Sequence, residues 1–416
     1  MKIIYAEVVT IGDEILYGQI TDTNSKWISE ELDKVGIKTI RKSSVGDQKK
    51  EILNILSESL QRADIVLITG GLGPTKDDIT KKTLAEYFND ELVINPHAEE
   101  FVRGFFEKRG RPFTELNRQQ AAIPSKCTYL HNATGTAPGM WFDHHGKVIV
   151  SMPGVPLEMK YLMSNEVIPR LKAKFELPEI VHKIIRTIGL GESFLAERIE
   201  NWEDNLPEHI KLAYLPSFGE VKLRLTGIGE NRTKVEEEIE TEVLKLVPLI
   251  EEHIYSFEND EIEKSIGKIL NETASTLGVA ESCTGGYLAH LLTSIPGSSA
   301  YFLGGVVSYS NQAKMDVLKV KQETLTKFGA VSEQTVIEMA EGVRKVMKTT
   351  FGIATSGVAG PDGGTEEKPV GTVWLAVTDG KQTLTKKLSL GKIRIVNIEY
   401  SAKAALNFLR ILTKGK

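Results

Sequence analysis

Apolar runs that end in glycine and lead into helical periodicity occur in two separate stretches of this chain, and that alternation restricts both stretches to layered α/β folds. In the first, IIYAEVVTIG (3–12) is a β-branched run closed by glycine. TNSKWISEELDKVG (23–36) follows with helical spacing: Asn24 or Ser25 caps, Trp27, Ile28 and Leu32 form the apolar face, and Gly36 stops it. IKTIRKSSV (37–45) reads as a strand and KKEILNILSESLQRA (49–63) as a helix. ADIVLITGG (63–71) and KVIVSMPG (147–154) are near-continuous apolar runs of the kind buried parallel strands show. The rhythm then changes. EIVHKIIRTIG (179–189), a helix at 193–202, IKLAYLPSFGEVKLRLTGIG (210–229) and a charged helix at 231–247 describe a small α+β unit. Alternation resumes with the strands LGVAES, GGVVSYS, FGIATSGVAG, GTVWLAVTDG and LTKKLSL. The expected architecture is therefore two α/β domains, 1–172 and 257–416, joined by a small α+β domain at 173–256. A chain of 416 residues suits two or three domains.

Charge and cysteine content exclude several classes. The 56 acidic residues outnumber the 51 basic ones, a balance that argues against broad nucleic-acid binding. No run approaches 18 uncharged apolar residues, and Glu7, Asp13 and Glu14 come too early for a signal peptide, so no membrane partner is expected. Two cysteines, Cys127 and Cys283, cannot build a disulfide framework and fit a reducing cytoplasm.

Three segments of the last domain run from a strand straight into a polar or glycine-rich turn: TLGVAESCTGG (276–286), GGVVSYSNQAK (304–314) and FGIATSGVAGPDGG (351–364). Ligands in open α/β sheets bind beyond the carboxyl ends of strands, so these turns should converge. Gly285 and Gly286 open a helix whose N–H groups suit a phosphate or an oxyanion. Of the eight histidines only His290 lies in this domain, so a Ser–His–Asp triad is improbable. A Ser–Lys arrangement remains: Ser282 as nucleophile and Lys314 as its base, if burial lowers the lysine's pKa. Tyr309 could relay the proton or orient the lysine. Cys283 reads as a small buried hydrophobe and Thr284 as a helix cap.

AESCTGG, SYSNQAK, GAVSE (329–333), TSGVAGPDGG and EEKPVGTVW (366–374) resemble the nicotinamide-nucleotide amidase (NMN deamidase) domain, and the whole chain resembles the bacterial competence/damage-inducible CinA family. The resemblance implies hydrolysis of NMN to nicotinate mononucleotide and ammonia without a cofactor. It implies Ser282, Tyr309 and Lys314 as catalytic residues. Thr284, Gly285, Gly286, Asn311, Ser356 and Gly360 would line the substrate pocket, and a basic residue of GKIRIVN (391–397), Arg394 or Lys392, would meet the phosphate.

The first domain carries IGDEILYGQITDTN (11–24), TGGLGPTKDDIT (69–80), NATGTAPGMWF (132–142) and SMPGVPLEMKYL (151–162). The glycines Gly70, Gly71 and Gly73 follow an apolar strand and can form an anion-binding nest. Asp77 and Asp78 supply hard oxygens suited to Mg²⁺-like cations, with Asp13, Glu14, Asp22 and Asn24 on another turn. Phosphate-binding glycines beside carboxylates suggest a nucleotide or pyrophosphate substrate. These segments resemble the MogA/MoaB-like molybdenum-cofactor-biosynthesis fold as it occurs in the CinA family. That resemblance implies metal-dependent hydrolysis of ADP-ribose to AMP and ribose 5-phosphate, with Mg, Mn or Co and K⁺ as an aid. Thr75, Asp77 and Asp78 would serve metal and diphosphate; Asn24, Asn132, Gly135 and Thr136 would serve the nucleotide. The middle unit, with GLGES (189–193), resembles the family's KH-like insert, but Glu192, Glu197 and Glu200 make a poor face for RNA. The expectation is a cytoplasmic homodimeric recycler of pyridine nucleotides. Two alternatives stay open: a deamidase whose first domain only binds a molybdopterin-type ligand, and a non-enzymatic competence adaptor.

Overall fold

The structure is a computed structural model that describes residues 3–75 and 78–414. They form two compact units, one running to Val181 with Ile228–Glu236 added, the other His182–Gly227 together with Glu237 onward.

The first unit is built on a six-stranded sheet. Its elements are β1 (Ile4–Ile11), α1 (Thr23–Asp33), β2 (Ile37–Val45), α2 (Lys49–Arg62), β3 (Ile65–Thr69), α3 (Thr80–Tyr87), β4 (Thr128–Leu130), β5 (Gly139–His144), β6 (Lys147–Met152) and α4 (Pro156–Leu162). The order is β2-β1-β3-β6-β5-β4, with β2, β1, β3 and β6 parallel and β5 and β4 antiparallel. β3 is buried at every residue because helices cover both faces. One face packs Val8, Leu67 and Val150 against Ile28 and Leu32 of α1; the other packs Val9, Ile68 and Ile149 against Ile52 and Leu56 of α2. The cap of α1 departs from expectation. Asp22, not Asn24 or Ser25, takes it, accepting from the Ser25 N–H at 2.9 Å. A carboxylate one residue before the first turn reaches that N–H directly, which frees Asn24 for a tertiary role.

β7 (Glu179–Ile188), α5 (Glu192–Asp204), β8 (Ile210–Ser217), β9 (Glu220–Gly229), α6 (Arg232–Ile250) and β10 (Ile254–Ser256) make the α+β segment, which belongs to the second unit apart from residues 179–181 and 228–236. Its sheet order is β8-β9-β7-β10. The segment 210–229 is an antiparallel hairpin that turns at Gly219, whose φ of +75° calls for glycine. The remaining elements are α7 (Ile262–Glu272), β11 (Leu277–Glu281), α8 (Tyr287–Thr293), β12 (Phe302–Val307), α9 (Asn311–Asp316), α10 (Glu333–Met347), β13 (Phe351–Gly357), β14 (Thr372–Thr378), β15 (Thr383–Ser389) and α11 (Arg394–Lys414). They form a five-stranded sheet of order β12-β11-β13-β14-β15, in which β12, β11 and β13 are parallel. α10 lays Val336, Met339, Ala340 and Val343 on one face. α7, α8 and α11 cover the other with Ile266, Leu288, Leu292, Leu406 and Leu409. Because β12, β11 and β13 are parallel neighbours, their carboxyl ends share one edge. Ser282, Ser308 and Ser356 therefore meet there, although they lie far apart in the chain. Among the described residues no helix is long and apolar enough to cross a membrane.

Candidate active sites

Ser282 is the first residue beyond β11, and its N–H is pinned to the Thr355 carbonyl of β13 at 3.0 Å. Lys314 comes from α9, whose start is fixed by the Ser310 hydroxyl accepting from the Ala313 N–H. The Lys314 ammonium donates to Ser282 Oγ at 3.0 Å and to the Ser308 carbonyl at 2.6 Å. Only 1% of Lys314 is exposed, and burial holds its pKa below the ordinary lysine value. Its hydrogen-bond partners among the described residues are a hydroxyl and a carbonyl rather than a carboxylate. A half-buried serine against such a lysine has the geometry that a nucleophile and its base require.

The neighbours of Ser282 divide as their surroundings dictate. Cys283 is buried and its thiol is pushed up to about 12 by desolvation, so it stays a thiol at neutral pH. Thr284 does not cap the helix; its hydroxyl is paired with Thr355 Oγ1 at 2.7 Å. The helix start is occupied too. The buried Glu281 carboxylate accepts from the N–H groups of Gly286, Leu288 and Ala289 at 3.0, 3.0 and 2.8 Å. The expected phosphate or oxyanion site at Gly285–Gly286 is thus filled by the chain's own carboxylate, which corrects that reading. Left-handed Gly285 (φ +61°) and Gly286 (φ +102°) let the backbone double back to make this loop.

Tyr309 is 63% exposed, and its hydroxyl accepts from Arg394 at 3.1 Å; the structure puts it with the arginine, not on the Ser282–Lys314 pair. Strand alternation past β12 explains this, since Ser308 turns inward and Val307 and Tyr309 outward. Arg394 also donates to the Gly360 carbonyl at 2.8 Å, so the SYSN turn, the 357–364 loop and the start of α11 meet at one guanidinium. Asn397 ties the same parts together by donating to the Ala359 and Gly391 carbonyls, both at 2.9 Å. Asn311 is exposed at the first turn of α9. Ser356 is spent on structure, its hydroxyl donating to the Ala330 carbonyl at 2.7 Å. His290 is exposed on α8 beside Tyr287 and has no part in the pair.

In the first unit a cavity of about 470 Å³ lies along the carboxyl edge of the sheet. Gly70 (φ +115°) and Gly71 (φ +65°) make the turn after β3, where a side chain would meet the Ile11 carbonyl or Thr80 Oγ1. Gly73 lies against the Asp78 carboxylate, and Asp78 accepts from both the N–H and the hydroxyl of Thr75. Asn24 is buried and bridges Thr69 Oγ1 (3.2 Å) and the Gly154 carbonyl (2.7 Å), while its Oδ1 has no partner among the described residues. Glu14, Asp22 and Asp78 line the cavity; Asp13 instead hydrogen-bonds the Asp47 backbone. Asp77 lies outside the described residues. Among those described, no three His, Cys, Asp or Glu side chains gather closely enough to cage a metal ion.

Asn132 was expected to bind nucleotide, but it is saturated by the protein. Its Nδ2 donates to the Ala137 carbonyl and to Glu158 Oε2, and its Oδ1 accepts from the N–H and hydroxyl of Thr134. Thr136 does line the cavity, and so do two residues that sequence reasoning passed over, Gln120 and Glu158. The only trace of Glu158 in the sequence is its place within PGVPLEM, which marks no role by itself.

Each unit thus carries a ligand-type edge on an α/β sheet, one with a serine–lysine pair and one with a glycine-lined cleft, and a KH-like domain lies between them in the chain. Family profiles match in the same order: "Probable molybdopterin binding domain" over 7–173, "Damage-inducible protein CinA KH domain" over 182–256 and "CinA C-terminal domain" over 259–413. A CinA-like protein of Cytophaga hutchinsonii is 55% identical over 98% of this chain and 97% of its own, and one of Flavobacterium psychrophilum is 50% identical over 97% of each. The chain belongs to the CinA family. A solved structure of the competence/damage inducible protein CihA from Agrobacterium tumefaciens, 40% identical, covers 36% of this chain and 93% of that one with a TM-score of 0.36.

Proposed function

We propose that the C-terminal site hydrolyses the carboxamide of NMN to nicotinate mononucleotide and ammonia. The observation that carries this reading is the 3.0 Å contact between Ser282 Oγ and a buried Lys314 that lacks a carboxylate partner. Neutral Lys314 takes the hydroxyl proton as Ser282 attacks the carboxamide carbon. The C–N bond then breaks, and the ammonia leaves with the proton that Lys314 returns. Water, deprotonated by the same amine, cleaves the resulting ester and frees Ser282. Arg394, held by Tyr309 and Gly360, is the cation available for the phosphate, since Glu281 blocks the helix start. An ammonia assay with NMN on wild type and Ser282→Ala tests the reading; turnover unchanged in the variant would end it.

For the first unit we propose hydrolysis of ADP-ribose to AMP and ribose 5-phosphate. The support is a cleft whose glycine turn suits a phosphate and whose polar lining includes the amides of Asn24 and Gln120 and the carboxylates of Glu14, Asp22, Asp78 and Glu158. A divalent cation in this reading would be held by one or two carboxylates, with substrate phosphate oxygens completing its shell. Asp78, which lines the cleft beside the glycine turn, is our candidate to hold it, and such a cation would neutralise the diphosphate. AMP release from ADP-ribose with Mg²⁺ or Co²⁺ tests this. Binding without release would favour the second reading, a molybdopterin-type binding module, which the profile over 7–173 supports. We place the protein in the cytoplasm, in keeping with its two free cysteines, and propose that it acts as a homodimer.

A further inference from the structure

Glu158 sits in the first turn of α4, with its carboxyl in the cleft of the first unit. Two independent features hold it there. Asn132, 2% exposed and locked by Thr134 and Ala137, donates to Glu158 Oε2 at 2.6 Å. Gly135 lies so close that any Cβ there would stand 2.1 Å from the Glu158 carboxyl carbon. Three residues of the NATGT turn therefore serve one carboxylate. No lysine or arginine pairs with it among the described residues, and its Oε1 has no protein donor there.

A carboxylate placed in this way repels phosphate and accepts from neutral donors. The glycine turn follows β3 and α4 follows β6, and these strands are hydrogen-bonded neighbours. The glycine turn and Glu158 therefore lie on the same carboxyl edge of the sheet, and both line the one cavity. A vicinal diol offers two O–H donors at the spacing of a carboxylate's two oxygens, as acidic residues use elsewhere to hold nucleotide riboses. We propose that Glu158 binds the cis-diol of a nucleoside ribose and makes this cleft select ribonucleotides over 2′-deoxynucleotides. This rests on the nucleotide reading of the cleft given above.

The test is calorimetric titration of the full-length chain with AMP and with 2′-deoxy-AMP, without metal and without turnover. Wild type is expected to bind AMP about 10-fold more tightly, as loss of a hydrogen bond to a charged acceptor implies. Glu158→Gln should bind both nucleotides alike. Gly135→Ala should do the same, because the added methyl displaces the carboxyl. The double variant Gly135→Ala/Glu158→Ala should be no worse than Glu158→Ala alone, since the shorter side chain leaves the methyl room. That non-additivity separates displacement of Glu158 from general damage to the turn. AMP binding with the preference intact in Glu158→Gln, or with no preference in wild type, overturns the proposal and leaves the nucleotide reading standing. Failure of wild type to bind either AMP or 2′-deoxy-AMP removes both.

Discussion

Three potential nucleophiles stand in a row at 282–284, and their environments leave one. Cys283 is a buried thiol held far above neutral pH, Thr284 has given its hydroxyl to Thr355, and Ser282 faces a lysine. Ser282→Ala should abolish ammonia release from NMN, whereas Cys283→Ala should retain it within a few-fold. Lys314→Arg should lose roughly 10²- to 10⁴-fold in kcat/KM, because a guanidinium cannot be deprotonated to act as the base. The pH dependence follows from the direction of the Lys314 shift. The neutral amine is the active form, so kcat/KM should climb with pH and level off below the ordinary lysine value of 10.5. A plateau at or above that value would mean that the buried lysine is not the group titrating.

At the level of elements, α8 is a short helix that begins on a carboxylate from the preceding strand. Glu281→Ala would strip three N–H groups of their acceptor in a buried setting, at a cost of about 3 kcal/mol or more, measurable by denaturant unfolding. Glu281→Gln, which keeps one oxygen, should fall between that variant and wild type. This loop also shows where sequence reasoning reaches its limit. The strand ends, their convergence and a Ser282–Lys314 arrangement were legible, because apolar runs that close on glycine mark buried strands; the strand order was not. The destination of Glu281 was not. It depends on two left-handed glycines turning the chain back, and glycine permits that course without dictating it. Ser356 and Asn132 were misread for the same reason: a polar residue in a loop looks alike whether it serves a ligand or a carbonyl.

For the whole molecule, the second unit holds its α+β segment and its five-stranded sheet together along one stripe of α11. Tyr400 lies under the Gly219 turn, and Lys403 pairs at 2.5 Å with the buried Glu220. Arg410, 1% exposed, donates to the Ile254 and Glu252 carbonyls at 2.9 and 2.6 Å. The α+β segment has a structural use here as a brace for the helix that begins at Arg394. Lys403→Met leaves Glu220 buried without its cation and should cost about 3 kcal/mol. Hydrogen exchange should then show amides of β9 and α11 loosening together; protection lost in β9 alone would mean that the two parts fold independently. This stripe was not read from the sequence: Tyr400, Lys403 and Arg410 look solvated until the surface they meet is known.

The burial of Lys314 also has a thermodynamic consequence. An unfolded chain keeps that amine protonated up to the ordinary lysine range, whereas the folded chain releases the proton earlier. Between the two pKa values the unfolded state binds more protons, so alkali favours folding through this group, and acid works against it. The rising pH that arms the serine also tightens the structure around it. Lys314→Met should flatten that component of the stability–pH curve as well as silence the site, so one proton equilibrium couples how well the domain is folded to how ready it is to react.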